Sequence, residues 1–125
     1  MEKLEYIPGD LVFHYIPKTT IKKYVKVYVC STNNALSLED MDGKLYDYIG
    51  VLYPIPLTPD ILEKNEWKKL YEKFFEKNVN DIRLTIEFSE NIYVAINRIF
   101  IMEIHYIHEL QHLLFGLGLN SEMEV

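Results

Sequence analysis

The stretch 81-DIRLTIEFSENIYVAIN-97 decides what kind of fold this chain makes. Ile82, Leu84, Ile86 and Phe88 alternate with Arg83, Thr85 and Glu87, the period-two pattern of a strand with one buried face. Ser89-Glu90-Asn91 turns the chain, and Ile92, Val94 and Ile96 repeat the alternation. Two such strands form a hairpin whose apolar face needs a cover. The following residues provide it. Arg98 to Ile104 reads as a third strand, and 105–118 as a helix with Ile107, Leu110, Leu114 and Leu117 on one stripe, stopped by Gly116 and Gly118. The C-terminal part, 79–118, is therefore a β-hairpin covered by a final helix.

Upstream of the hairpin, Thr58-Pro59-Asp60 is a helix start: a capping hydroxyl, a proline at the first helical position and an acid at the positive end. Trp67, Leu70, Tyr71, Phe74 and Phe75 then fall on one helical stripe, with Lys68 and Glu72 four apart outside it. Residues 58–78 are accordingly predicted helical, as one or two helices. The first 57 residues are mainly β. Val25, Val27 and Val29 share one face of 21-IKKYVKVYVC-30 and Tyr24, Lys26 and Tyr28 the other, while Asp42-Gly43 marks a tight hairpin. Four or so short strands there predict a small, strongly curved antiparallel sheet, of which an SH3-like barrel is one form. The fold class is α+β, and 1–125 reads as a single domain.

Apolar residues make up 49% of the chain and charged ones 26%, the balance of a folded globular protein rather than a disordered one. The formal charge of -6 repels a phosphate backbone, so nucleic-acid binding would rest on a local basic patch. Lys18, Lys22, Lys23 and Lys26 interleave with Tyr24 and Tyr28 in such a patch, which reads more readily as the solvated face of a strand. Cys30 is the single cysteine, so no intramolecular disulfide forms. No signal-like or membrane-length apolar run is present, which sets a cytoplasmic expectation.

The one chemical motif is HELQH, residues 108–112. On a helix, His108 and His112 lie one turn apart and can share Zn²⁺ while Glu109 acts as general base, the arrangement of a zinc hydrolase. A catalytic zinc needs a third protein ligand. After His112 only Glu122 and Glu124 remain, and nothing nominates Glu103, Glu87 or His14 upstream. His105, three before His108, offers a competing pair. The helical wheel places His105, His108, Glu109 and His112 on the side opposite the apolar stripe, so a polar helix face is the favoured reading and zinc the alternative.

Two segments carry a resemblance. 53-YPIPLTPDILEKNEW-67 and 104-IHYIHELQHLLFGLGL-119 resemble a group of small proteins, without an assigned activity, from gut bacteria of Bacteroides type and their phages and integrated elements. That group pairs a PIPLT-x-x-IL segment with a C-terminal Y-x-H-x-L-Q-x-L helix. Tyr106, His108, Leu110 and Gln111 match it; Glu66-Trp67 stands where Gly-Phe is usual, so the turn after the first helix is expected to differ from the group's. Related sequences often carry Gln at the position of Glu109 and Asn at that of His112, which implies packing rather than zinc hydrolysis. The resulting expectation is a non-enzymatic protein of a phage or mobile element, with no cofactor. Its expected ligand is a protein partner, bound through Tyr24, Lys26 and Tyr28.

Overall fold

The structure is a computed structural model that describes residues 6–15, 22–30, 36–47 and 51–125. The chain divides into two compact units, Met1–Ile55 and Pro56–Val125. The α+β class is as expected.

The first unit is a sheet of five antiparallel strands: β1 (Leu11–Tyr15), β2 (Lys22–Cys30), β3 (Leu36–Asp40), β4 (Leu45–Asp47) and β5 (Val51–Pro54), in the order β4-β3-β2-β1-β5. Ile7-Pro8-Gly9-Asp10 leads into β1. Pro8 presets the first central position, Gly9 takes φ +98°, and the Asp10 N–H donates to the Ile7 carbonyl at 3.1 Å, the features of a type II turn. The Asp10 carboxylate then accepts the Ile7 N–H at 2.8 Å, which satisfies a buried acid. Val12, Val25, Val27 and Leu38 form the core, with Tyr6 and Leu52 packed against it. At the β3–β4 hairpin the Asp40 carboxylate accepts the N–H groups of Asp42 and Lys44, so the Asp42-Gly43 turn forms as predicted. No closed barrel of the SH3-like kind is found among the described residues. There β4 and β5 stand at opposite edges of the sheet and no ladder joins them.

The second unit begins with α1 (Pro59–Lys64), capped by the Thr58 hydroxyl, which accepts the Ile61 N–H at 3.3 Å. The helix stops after six residues. The Trp67 N–H reaches back to the Leu62 carbonyl and that of Glu66 to Glu63, a Schellman closure with Glu66 at the left-handed position, φ +67°. Trp67 and Leu62 are both buried beside the closure.

Here the helical expectation for 58–78 fails beyond Lys64. The segment forms β6 (Lys68–Tyr71) and β7 (Phe74–Val79), followed by β8 (Ile82–Phe88), β9 (Ile92–Ile96) and β10 (Ile99–Ile104). The five strands pair consecutively as an antiparallel meander. Asn80-Asp81 joins β7 to β8 and Asn97-Arg98 joins β9 to β10, each a two-residue loop with both residues at positive φ, the type I′ geometry that matches strand twist. Phe75, Leu84, Ile86, Val94 and Ile104 are buried from the sheet, Leu62 from α1, and Ile107, Leu110 and Leu114 from α2 (Ile107–Gly116). Gly116 is the last helical residue. Gly118, at φ +74°, ends the helix: its N–H donates to Phe115 and that of Leu119 to Leu114. Asn65 ties the C-terminal segment to α1, exchanging hydrogen bonds with the Glu124 backbone at 2.7 and 2.8 Å.

Candidate functional site

The histidines of HELQH are not grouped on an open polar face. His108 is only 2% exposed, and Gln111 is buried beside it on the helix, so α2 is covered over a wider arc than its apolar stripe. The His108 ring stacks on Tyr106, with centroids 5.9 Å apart, and meets His112 edge-on at 5.5 Å. His112 is half-buried and His105 exposed.

Glu109 has a different task from the one a zinc hydrolase would give it. Its Oε1 accepts the backbone N–H groups of His105 at 2.9 Å and Tyr106 at 3.0 Å, so the carboxylate closes the helix N-terminus. Among the described residues no group of three His, Cys, Asp or Glu side chains is arranged to hold a metal ion. Glu103 approaches His105 at 3.7 Å, on the exposed side. These side chains do not fit a zinc hydrolase's set of three ligands and a free base.

In the first unit Tyr24 is exposed, Lys26 half-buried, and Tyr24 lies against Phe13, its cross-strand partner, with centroids 4.7 Å apart. The side chains of Lys22, Lys23, Tyr28 and Cys30, and the whole of Lys18, lie outside the described residues. The basic patch as a unit therefore has no described geometry.

The second sheet holds a surface that sequence reasoning missed. Register assigns Phe75, Leu84, Ile86 and Val94 to its buried face and Phe74, Thr85, Tyr93 and Phe100 to the other. That other face encloses a concavity of about 730 Å³ lined by Tyr71, Phe74, Thr85, Tyr93, Ala95 and Phe100, with Arg83, Glu87 and Arg98 among the charged groups. Tyr71 meets Phe74 edge-on at 6.1 Å and Tyr93 meets Phe100 at 5.8 Å, so the aromatic walls are braced pairs. Arg83 Nε lies 2.6 Å from a Glu76 carboxylate oxygen. The adjoining edge strand β10 leaves Ile99 66%, Phe100 60% and Ile101 45% exposed.

Fold and site together define a small two-sheet α+β protein with an aromatic-walled concavity and an apolar sheet edge. No family model matches the chain, and comparison with curated proteins and with solved structures gives no significant match. Among the described residues no helix is long and apolar enough to cross a membrane.

Proposed function

We propose that this is a non-enzymatic binding protein that engages a protein partner along β10. The observation that carries the reading is the contrast between the two edges of the second sheet. The β6 edge carries Lys68 and Lys69, charges of the kind that guard an edge against pairing. The β10 edge has no charge between Arg98 and Glu103 and exposes three large apolar side chains in a row. A strand added beside β10 would take up its outward backbone groups and cover Ile99 and Ile101, the mode of β-strand addition. The net charge of -6 supports a protein rather than a nucleic-acid partner. The resemblance of segments 53–67 and 104–119 supports a phage or integrated element as the setting.

Affinity capture with the full chain from the host cell tests this, comparing wild type with Ile99→Lys/Ile101→Lys and with Tyr24→Ala. A partner lost only in the double lysine variant, with unchanged circular dichroism, is the expected result. Equal recovery by that variant, or loss through Tyr24→Ala alone, would move the interface away from β10.

A further inference from the structure

Strand register creates a pit in the open face of the second sheet, and its chemistry goes beyond the protein-binding reading. Thr85 pairs with Ala95, which sets two small side chains next to each other on the middle strands. Taller ones stand around them. Phe74 and Tyr93 flank Glu87 one cross-strand row away, and Phe100 is paired with Ala95 on the other side. Arg83 and Arg98 close the end nearest the β9–β10 turn.

Three features say what would fill the pit. First, its walls are aromatic on both sides, which suits a planar ring. Second, Thr85, only 7% exposed, sets a hydroxyl at the floor among the aromatic walls, a polar group that orients a bound ring. Third, the two arginines differ. Arg83 is neutralised by Glu76, whereas Arg98 has no ion pair among the described residues and faces the pit as a free cation. At the far end Glu87 offers an acceptor that has no ion pair among the described residues. Arg83 and Glu87 are separated along β8 by about 13 Å of strand, which leaves room for one ring with a polar group at each end.

We infer that the pit over Thr85 and Ala95 binds a small hydroxylated aromatic carboxylate, the ring between Phe74, Tyr93 and Phe100, the carboxylate on Arg98 and the hydroxyl toward Glu87 and Thr85. No bond is made or broken. Neutral rings lack the charge-assisted contact to Arg98 and bind more weakly.

The test is amide chemical-shift titration of the full chain with 4-hydroxyphenylacetate and with its neutral counterpart 4-hydroxyphenethyl alcohol. Saturable shifts at Thr85 and Ala95, with the acid bound about tenfold more tightly than the alcohol, are expected. Arg98→Gln removes that preference, and Ala95→Leu, which fills the pit from the open face, abolishes both. Should Ala95→Leu fail to fold, Thr85→Val keeps the shape, removes the hydroxyl and weakens the acid. Absence of saturable shifts at these amides, or binding that Ala95→Leu and Thr85→Val leave unchanged, overturns the inference. The Ile99→Lys/Ile101→Lys variant keeps the probe and loses the protein partner, so the two readings stand or fall apart.

Discussion

The Glu109 carboxylate accepts the backbone N–H of Tyr106 at 3.0 Å, and through this contact the acid of the HELQH sequence caps its own helix. A capping role and a general-base role respond differently to substitution. Glutamine reproduces the acceptor, so Glu109→Gln should leave stability within about 0.5 kcal/mol, whereas Glu109→Ala should lower it by about 1 kcal/mol. Urea denaturation of the two variants checks this; equal stability in both would remove the capping role.

Glu66 occupies a left-handed position that glycine adopts without steric cost. Glu66→Gly should therefore raise stability by about 1 kcal/mol, read as a higher urea midpoint at unchanged slope. A lowered midpoint would show that the Schellman closure after α1 is not the geometry in solution.

His108 and His112 are neighbours on one helix turn but differ in burial. Removing the buried ring in His108→Ala should cost about 2–4 kcal/mol through the cavity it leaves, and His112→Ala less than about 1 kcal/mol. Elemental analysis of the dialysed protein belongs beside this measurement. One zinc per chain, lost in His112→Ala at little cost in stability, would restore the hydrolase reading.

The Asn80-Asp81 loop places an acid where type I′ turns favour glycine. Asp81→Gly should stabilise the second unit by about 0.5–1 kcal/mol, detectable as a raised thermal midpoint. No gain would indicate that the β7–β8 hairpin is held by its ladder regardless of the turn.

What could be read from the sequence follows from which faces are buried. β8 alternates apolar with polar side chains and β9 large aliphatic ones with Tyr93 and Ala95, and that period of two is visible in residues 82–96. β6 and β7 hide it. Phe74 faces the concavity while Phe75 enters the core, so two aromatics stand side by side, and with Trp67, Leu70 and Tyr71 they mimic a helical stripe. The Asn80-Asp81 turn lacks the glycine that would have announced a hairpin. Thr58 and Pro59 were legible because local chemistry alone fixes a helix start. The Glu109 cap was not: Tyr106 occupies the position where a Ser or Thr would have signalled a capping box. The pit depends on the Thr85–Ala95 pairing, a cross-strand register that no single stretch of sequence displays.

The strand orders of the two sheets set different demands on a folding chain. In β6 to β10 each ladder joins strands adjacent in sequence, so every pairing closes a short loop and follows from the one before it. In the first sheet β1 must await β5, which arrives after three intervening strands. During synthesis the first unit therefore exposes an unpaired β1 edge until β5 arrives, although it emerges before the second unit, and the sheet that carries the aromatic concavity can zip up as it emerges.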